Sequence, residues 1–319
     1  MTSPTLLRRR SSLHALAFAT LAALAAGVAA AQPAAQCDRA CLTGFIDTYF
    51  SALIANDAKK LPQAAKARIT ENGSETALAA TFWDSASEVA YRFDVVNVRR
   101  GDTGTQTVIR NADGTKTMHM VRLKVQNGAI TEIETIKCNQ GEADRLWDPD
   151  RILKEPPANF QLSIREPERD SYYDLIGAAE SYWRAFQTNG TPNYRRARLL
   201  PDSRRFENGV QTTGVVRDGV FNDTSKGFDE GRFIGRNIWD RRYPVVDEER
   251  GVVLSIVRFG LKGGAKSQSV ATSNDRLVAE FFAVRHGYIE EIQAVLFNLP
   301  DAKPTGWPAG YGPGRGATE

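Results

Sequence analysis

The stretch "RRFENGVQTTG", Arg204 to Gly214, decides how this sequence is read, because it has an echo. At Arg68 the chain reads "RITENGSET". Both fit R-x-x-E-N-G, and the two glutamates, Glu71 and Glu207, lie 136 residues apart (207 − 71). Working outward, the same elements flank each copy. Upstream, "FIDTYFSALIAND" places Leu42, Phe45, Ile46, Tyr49 and Leu53 at helical spacing. "LIGAAESYWRAFQTNG" does so with Ile176, Ala179, Tyr182, Trp183 and Phe186. A Leu-Pro pair follows each helix, Leu61-Pro62 and Leu200-Pro201. Downstream, "HMVRLKVQNGAITEIETI" (119–136) and "VAEFFAVRHGYIEEIQAV" (278–295) each read as strand, turn, strand. Asn-Gly between alternating runs is a strong hairpin signal, and His-Gly a weaker one.

The order helix, Leu-Pro segment, E-N-G strand and terminal hairpin occurs twice, so the chain is a tandem repeat. Repeat 1 is expected over 37–147 and repeat 2 over 169–299, joined by a Pro-rich, charged linker at 148–168. The Gly/Pro-rich tail from 300 to 319 has no period; it is expected to be disordered or strapped to the surface by Trp307 and Tyr311. Helices followed by runs of antiparallel strands make an α+β plan.

Residues 1–31 read as a cleaved export signal. Arg8, Arg9 and Arg10 precede an Ala/Leu-rich run from Leu13 to Ala30, and small residues Ala29-Ala30-Ala31 suit a cleavage site. "RRSSLH" resembles a twin-arginine signal, with Ser12 where that pattern has Phe. A periplasmic or secreted location is expected, with no membrane association after cleavage. The whole chain has 41 Lys and Arg against 38 Asp and Glu; the signal carries three arginines and no acid, leaving 38 of each. Balanced charge gives no basic face for a nucleic-acid partner. "NYRRARLLPDSRR" (193–205) is plainly read as a solvated face.

Cys37, Cys41 and Cys138 lie beyond the signal. Export favours one disulfide, expected as Cys138 with Cys41 or Cys37. With His14 in the signal and only His119 and His286 left, soft ligands are too few for a metal site. No G-x-S-x-G, G-x-G-x-x-G or P-loop occurs, so no cofactor is expected.

The Tyr49 and Tyr182 helices, the two E-N-G segments and the hairpin "EFFAVRHGYIEEI" resemble the cone fold of nuclear transport factor 2 and the SnoaL-like polyketide cyclases. The resemblance implies two tandem cone-shaped repeats, each a curved antiparallel sheet wrapped around N-terminal helices. It also implies an internal pseudo-dimer, and opens the way to a homodimer. "CDRACLTGFIDTYFSAL", "RDSYYDLIGAAESYW" and "RRYPVVDEERGVV" resemble a family of secreted fungal and bacterial double-cone proteins without an established activity. SnoaL-like enzymes shuttle protons with a few polar groups in an apolar cone, without a cofactor. A dry carboxylate with its pKa raised toward neutrality suits that task.

Candidate catalytic residues are therefore Glu207 and Glu280. Glu280 interrupts the apolar face Val278, Phe282 and Val284, where a carboxylate is costly unless paired or functional. Repeat 1 has Val121 at the equivalent point, so the two cones should differ in chemistry. Candidate substrate-binding residues are Tyr182, Trp183, Asn208, Arg242, Tyr243, Glu71, Asn72 and His119. Each has a plainer reading: E-N-G as turn chemistry, the aromatics as core, Asp247 as part of a polar turn, His286 as an exposed turn residue. The function expected is a cofactor-free lyase or isomerase acting on a small polar or aromatic molecule in the repeat-2 cone. A small-molecule binder and a structural module are the alternatives. The last of these predicts cones plugged by Phe206, Phe281, Phe282 and Trp239.

Overall fold

A computed structural model describes residues 37–143, 145–261, 275–299 and 305–307. The expected export signal lies outside the described residues, as do most of the tail and Tyr311. Helix α1 (Arg39–Ile54) begins where the Asp38 carboxylate accepts from the Cys41 N–H at 2.9 Å, and it buries Leu42, Ile46, Tyr49, Phe50 and Leu53. Strands β1 (Gln63–Glu71), β2 (Ser74–Glu75), β3 (Ala86–Asn97), β4 (Asp102–Asn111), β5 (Lys116–Gln126) and β6 (Ala129–Asn139) follow. They form a six-stranded sheet in the order β2-β1-β6-β5-β4-β3. After α2 (Pro149–Lys154) the pattern restarts with helix α3 (Tyr172–Thr188), capped by Ser171. Then come β7 (Leu199–Glu207), β8 (Val210–Thr213), β9 (Val215–Arg217), β10 (Val220–Asn222), the short α4 (Lys226–Asp229), β11 (Arg236–Asp247), β12 (Val252–Leu261), β13 (Arg276–Arg285) and β14 (Tyr288–Asn298). The second six-stranded sheet runs β8-β7-β14-β13-β12-β11, the same order as the first, while β9 and β10 pair as a separate ribbon. The chain is thus α+β, with two tandem cone-like repeats. Each sheet is antiparallel except for one parallel pair, β1 with β6 and β7 with β14.

That parallel pair explains why E-N-G is written twice. The glutamate ends the strand and Asn-Gly makes a two-residue turn. Asn72 and Gly73 have φ of 49° and 78°, Asn208 and Gly209 45° and 87°. Positive φ at both positions makes the turn whose twist matches a hairpin. The asparagine side chain then docks on the terminal strand where parallel pairing stops. Asn72 Oδ1 accepts from the Lys137 N–H at 2.9 Å. Asn208 Oδ1 accepts from the Leu296 N–H and its Nδ2 donates to the Leu296 carbonyl, both at 3.0 Å. Asn72, through its oxygen, and Asn208, through its whole amide, are therefore strand clamps on backbone rather than the substrate-binding residues expected.

Gly209 carries a further constraint, because a Cβ there would sit 1.9 Å from the Asp148 carbonyl oxygen. Gly287, in the β13–β14 turn, has φ of 76° but nothing within 4 Å of such a Cβ. Gly287→Ala should cost about 1 kcal/mol, the left-handed penalty alone. Gly209→Ala should cost at least about 3 kcal/mol, because the backbone of α2 must also move. Urea unfolding of both variants checks this; equal costs would refute the clash.

Strand alternation sends successive side chains to opposite faces, and both faces of each sheet are covered. His119, Val121 and Leu123 turn toward α1, whereas Met118 and Met120 pack against the second sheet. The sheets meet back to back: Phe93 lies edge-on to Phe281 at 4.9 Å. At Gly104 an added Cβ would come within 2.8 Å of Leu254 Cδ2. The segment between the repeats also reaches this core, with Phe160 stacked 4.8 Å from Phe93. Cys37 is bonded to Cys41, their Cα atoms 5.3 Å apart, which corrects the expected bridge to Cys138. The two cysteines bracket the capped start of α1, so the turn that begins the helix brings them together. Cys138 is a buried thiol on the inter-sheet face of β6, its pKa pushed up to about 12, chiefly by burial.

Candidate functional site

Helix α3 crosses the concave face of the second sheet and fixes two of its aromatics by their polar ends. Trp183 Nε1 donates to Ser255 Oγ at 2.9 Å, and the Tyr182 hydroxyl accepts from Arg205 Nη1 at 3.0 Å. Beyond them opens a cavity of about 950 Å³, lined by Tyr182, Trp183, Arg205, Glu207 and Glu280 among others. Its size is that of a small-molecule pocket. Arg205 and Glu207 are two apart on β7 and so share the face turned to the cavity. Phe206, between them, turns away under Arg151 and Arg204. Arg205 Nε donates to Thr212 Oγ1 at 3.0 Å and lies 3.6 Å from Glu207 Oε2.

Glu280 comes from β13, on the face it shares with Arg276 and Val278. Only 4% of it is exposed, and its Oε2 atom is buried without a hydrogen-bond partner. Burial drives the Glu280 pKa well above the usual carboxylate range; Arg205 opposes the rise and Glu207 adds to it. Burial likewise raises the Tyr182 phenol, against the pull of Arg205. For Arg205 burial works the other way, yet Tyr182 and Glu207 outweigh it and keep the guanidinium firmly charged. The wall is thus a linked set: a buried carboxyl, an ion-paired carboxylate, a fixed cation and a phenol. Such a set can hold a proton in one place and accept one in another.

The remaining cavity wall is aromatic. Phe186 on α3 packs against Phe233 at 4.5 Å and Phe259 at 5.1 Å. Phe206, Phe281, Phe282 and Trp239 do not line this cavity. Phe281 faces the first sheet, and Phe282 packs on Tyr182 and Trp183.

Four of the expected site residues meet here: Glu207, Glu280, Tyr182 and Trp183. The others lie elsewhere. Arg242 does not enter the cavity; it is fully buried between the sheets, with Nη1 donating to Glu134 Oε2 at 2.9 Å and Nη2 to the other oxygen. Glu134 also accepts from Arg122 Nε at 2.8 Å, and Arg122 reaches Asp102 at 3.0 Å and Glu132 at 2.8 Å. Trp307 lies over this network, its ring 4.7 Å from the Arg122 guanidinium and 4.3 Å from that of Arg68. Its Nε1 donates to Thr70 Oγ1 at 3.0 Å, so this part of the tail is strapped down. Tyr243, next to Arg242, points the other way and donates its hydroxyl proton to Glu180 on α3, which also pairs with Arg241 at 2.8 Å. Asp247 accepts from the Val96 N–H at 3.0 Å and pairs with Arg39, tying the repeats together.

Glu71 and His119 lie in repeat 1, where the cone is filled from within. Glu71 Oε2 accepts from the Phe82 N–H at 3.3 Å. The Glu71 pKa is raised by burial, against Lys137. His119 lies 4.7 Å from the Phe82 ring, and Trp83 packs edge-on to Tyr49 at 5.3 Å. Neither nitrogen of His119 has a hydrogen-bond partner, and its pKa is pushed down to about 3 by burial and then by Lys137. Val278 stands where repeat 1 has His119: each pairs with the terminal-strand residue that the asparagine clamp holds. The two cones therefore have different interiors.

Arg205 was not among the expected residues, although it stands two before Glu207 in the very phrase that repeats. Strand alternation alone puts it beside Glu207 on the cavity face. Repeat 1 has Ile69 there, two before Glu71.

No curated protein matches the sequence. Among solved structures, an NTF2-like protein of unknown function from Shewanella baltica OS155 aligns with 31% of this chain and 92% of its own, at 7% identity and a TM-score of 0.24. The family model described as a domain of unknown function (DUF8021) matches residues 35–137 and 168–296, and the chain belongs to that family.

Proposed function

We propose that the repeat-2 cavity binds a small organic molecule and moves a proton on it, as a cofactor-free lyase or isomerase. The observation that carries this reading is Glu280: a nearly buried carboxyl with an unpartnered oxygen in the wall of an open cavity, beside the ion-paired Glu207. Neither feature serves packing, since an apolar residue would fill the same wall at lower cost. In the proposed step the Glu207 carboxylate takes a proton from a carbon next to a carbonyl. The Glu280 carboxyl gives its proton to the enolate oxygen that develops. Glu207 then gives its proton to another carbon while the enol proton returns to Glu280, which completes an isomerisation; given instead to a β-hydroxyl that departs as water, the Glu207 proton completes an elimination. Arg205 and Tyr182 orient the molecule, and Arg205 pairs with Glu207. We further propose export to an oxidising compartment, a reading supported by the Cys37–Cys41 disulfide.

Glu280→Gln tests the role. Glutamine keeps the shape and a hydrogen-bond donor but gives up no proton. Turnover should fall about 10²–10⁴-fold while ligand-induced thermal stabilisation persists. The same variant should be more stable than the native chain at pH 8. Unfolding there lets Glu280 ionise at its ordinary value of 4.5, a release that the folded state resists. That advantage should vanish below pH 4.5, where both states hold the proton. Ligand stabilisation without turnover of any ligand, in the native chain, would instead make the cavity a binding site only.

A further inference from the structure

The charge of the cavity is lopsided. Six arginines line it against three carboxyl groups. Arg205 has a carboxylate partner in Glu207 and Arg232 one in Glu230. Arg236, at the start of β11, has none among the described residues. Its guanidinium lies over the Phe259 ring at 5.5 Å, half-buried, on the cavity wall. Beside it stands Arg276 on β13, whose Nε donates to Asn298 Oδ1 at 3.1 Å. These two cations are close enough that Arg276, after burial, lowers the pKa of Arg236. A half-buried guanidinium beside a second one, with no carboxylate of its own among the described residues, is a ready partner for an anion.

The opposite end of the cavity has a different character. Arg276, Val278 and Glu280 alternate along one face of β13, so the two ends are four residues, or about 13 Å, apart along the strand. Val278 and its β14 partner Leu296 make an apolar floor between them. The phenylalanines 186, 233 and 259 make aromatic walls, which favour a flat ring. Cation end, aromatic middle and proton-handling end thus lie in line.

We propose that this cavity takes an aromatic monocarboxylic acid lengthwise, its carboxylate against Arg236 and Arg276 and its far end at Glu280 and the Tyr182–Arg205 pair. The proposal rests on the reading of this cavity as a small-molecule site and adds the class of molecule. Guanidinium forks match a carboxylate's two oxygens, whereas a neutral amide offers one acceptor and no charge. The cation end sets which acids bind; the far end acts on them.

Isothermal titration of the full mature chain with 4-hydroxycinnamate and with 4-hydroxycinnamide tests it, in the native protein and in Arg236→Gln, Arg236→Lys and Glu280→Gln. The acid should bind at least about tenfold more tightly than the amide. Arg236→Gln should bring the acid down to the level of the amide and leave the amide unchanged. Arg236→Lys should fall between, keeping the charge but losing the fork, and it stands in if the glutamine variant fails to fold. Glu280→Gln should leave the ratio of acid to amide intact. Equal binding of acid and amide would overturn the anion end while leaving the small-molecule reading standing. A preference for the acid that survives Arg236→Gln would also overturn it, because the carboxylate would then be held elsewhere. No binding of either probe up to its solubility limit would overturn the proposal and remove support from the proposed function as well.

Discussion

Arg242→Met should destabilise the chain by about 3–5 kcal/mol, and Arg242→Met combined with Glu134→Leu should recover most of that loss. Arg242 and Glu134 belong to different repeats, and each is nearly or fully buried between the sheets. Around them stand Arg122, Lys124, Asp102 and Glu132, joined by ion pairs of 2.8 to 3.0 Å. With Arg100 Nε 3.3 Å from Asp102, four cations thus face three carboxylates. Burial by itself would raise the Glu134 pKa, but Arg242, then Arg122, outweigh it and hold the carboxyl below its usual range. Removing Arg242 leaves Glu134 charged in a dry interface with Arg122 already shared among three acids. Breaking a buried pair from one side carries that large cost because the partner's desolvation is no longer offset. Removing both members takes one charge of each sign from the network and puts apolar bulk where the sheets already pack Met120 and Phe281. A double-mutant cycle by urea denaturation reads the coupling between the two positions. A double variant as unstable as Arg242→Met would show that the pair contributes through packing and not through charge.

The same interface explains which site residues could be recognised from sequence. Repeat order, both terminal hairpins and the paired α-helices were legible, because turn chemistry and helical spacing are local signals. Glu280 was legible because a lone carboxylate in "LVAEFFAV" violates its surroundings. The face of a strand was not legible. A sheet covered by a helix on one side and by a second sheet on the other buries both sets of side chains, as the β13 residues Leu277 to Val284 all are. Alternation then tells which residues share a face but not which face lines the cavity. Arg242, expected to bind substrate, lies on the other side of β11. For Asn72 and Asn208 the obstacle is distance along the chain. Their side chains serve the backbone of a strand some 65 and 88 residues away, a partnership that exists only once the parallel pair has formed. Arg205 shows the reverse case, a residue whose place followed from its neighbour Glu207 but whose partner, the Tyr182 hydroxyl, is 23 residues distant.

Acid should unfold this protein largely through one residue of repeat 1, and His119→Met should remove much of that sensitivity. His119 is fully buried with both ring nitrogens unpartnered, so the interior offers nothing to stabilise an imidazolium. Its pKa falls from 6.5 to about 3. Above pH 6.5 the ring is neutral in both folded and unfolded chains, and titration costs no stability. Below that, the unfolded chain takes up a proton that the folded chain refuses, so stability drops as pH falls and keeps dropping until about pH 3. A gap of about 3.5 pH units, at about 1.4 kcal/mol per unit, gives a loss of about 5 kcal/mol by the acid end. Roughly half of it should already be present near pH 5. Methionine has no proton to gain and fills a similar volume between Phe82 and the sheet. At pH 7.5 it should be neutral or stabilising, since it replaces two buried nitrogens that lack partners. Urea unfolding of both proteins from pH 7.5 down to 4 reads the difference as a steeper acid slope in the native chain than in the variant. Parallel acid limbs would mean that His119 is protonated in the folded state, which requires the Phe82–Trp83 turn to open and water to enter the first cone. The buried acid Glu280 cannot mimic this signal, because its stabilising effect grows toward low pH, opposite in sign to that of His119.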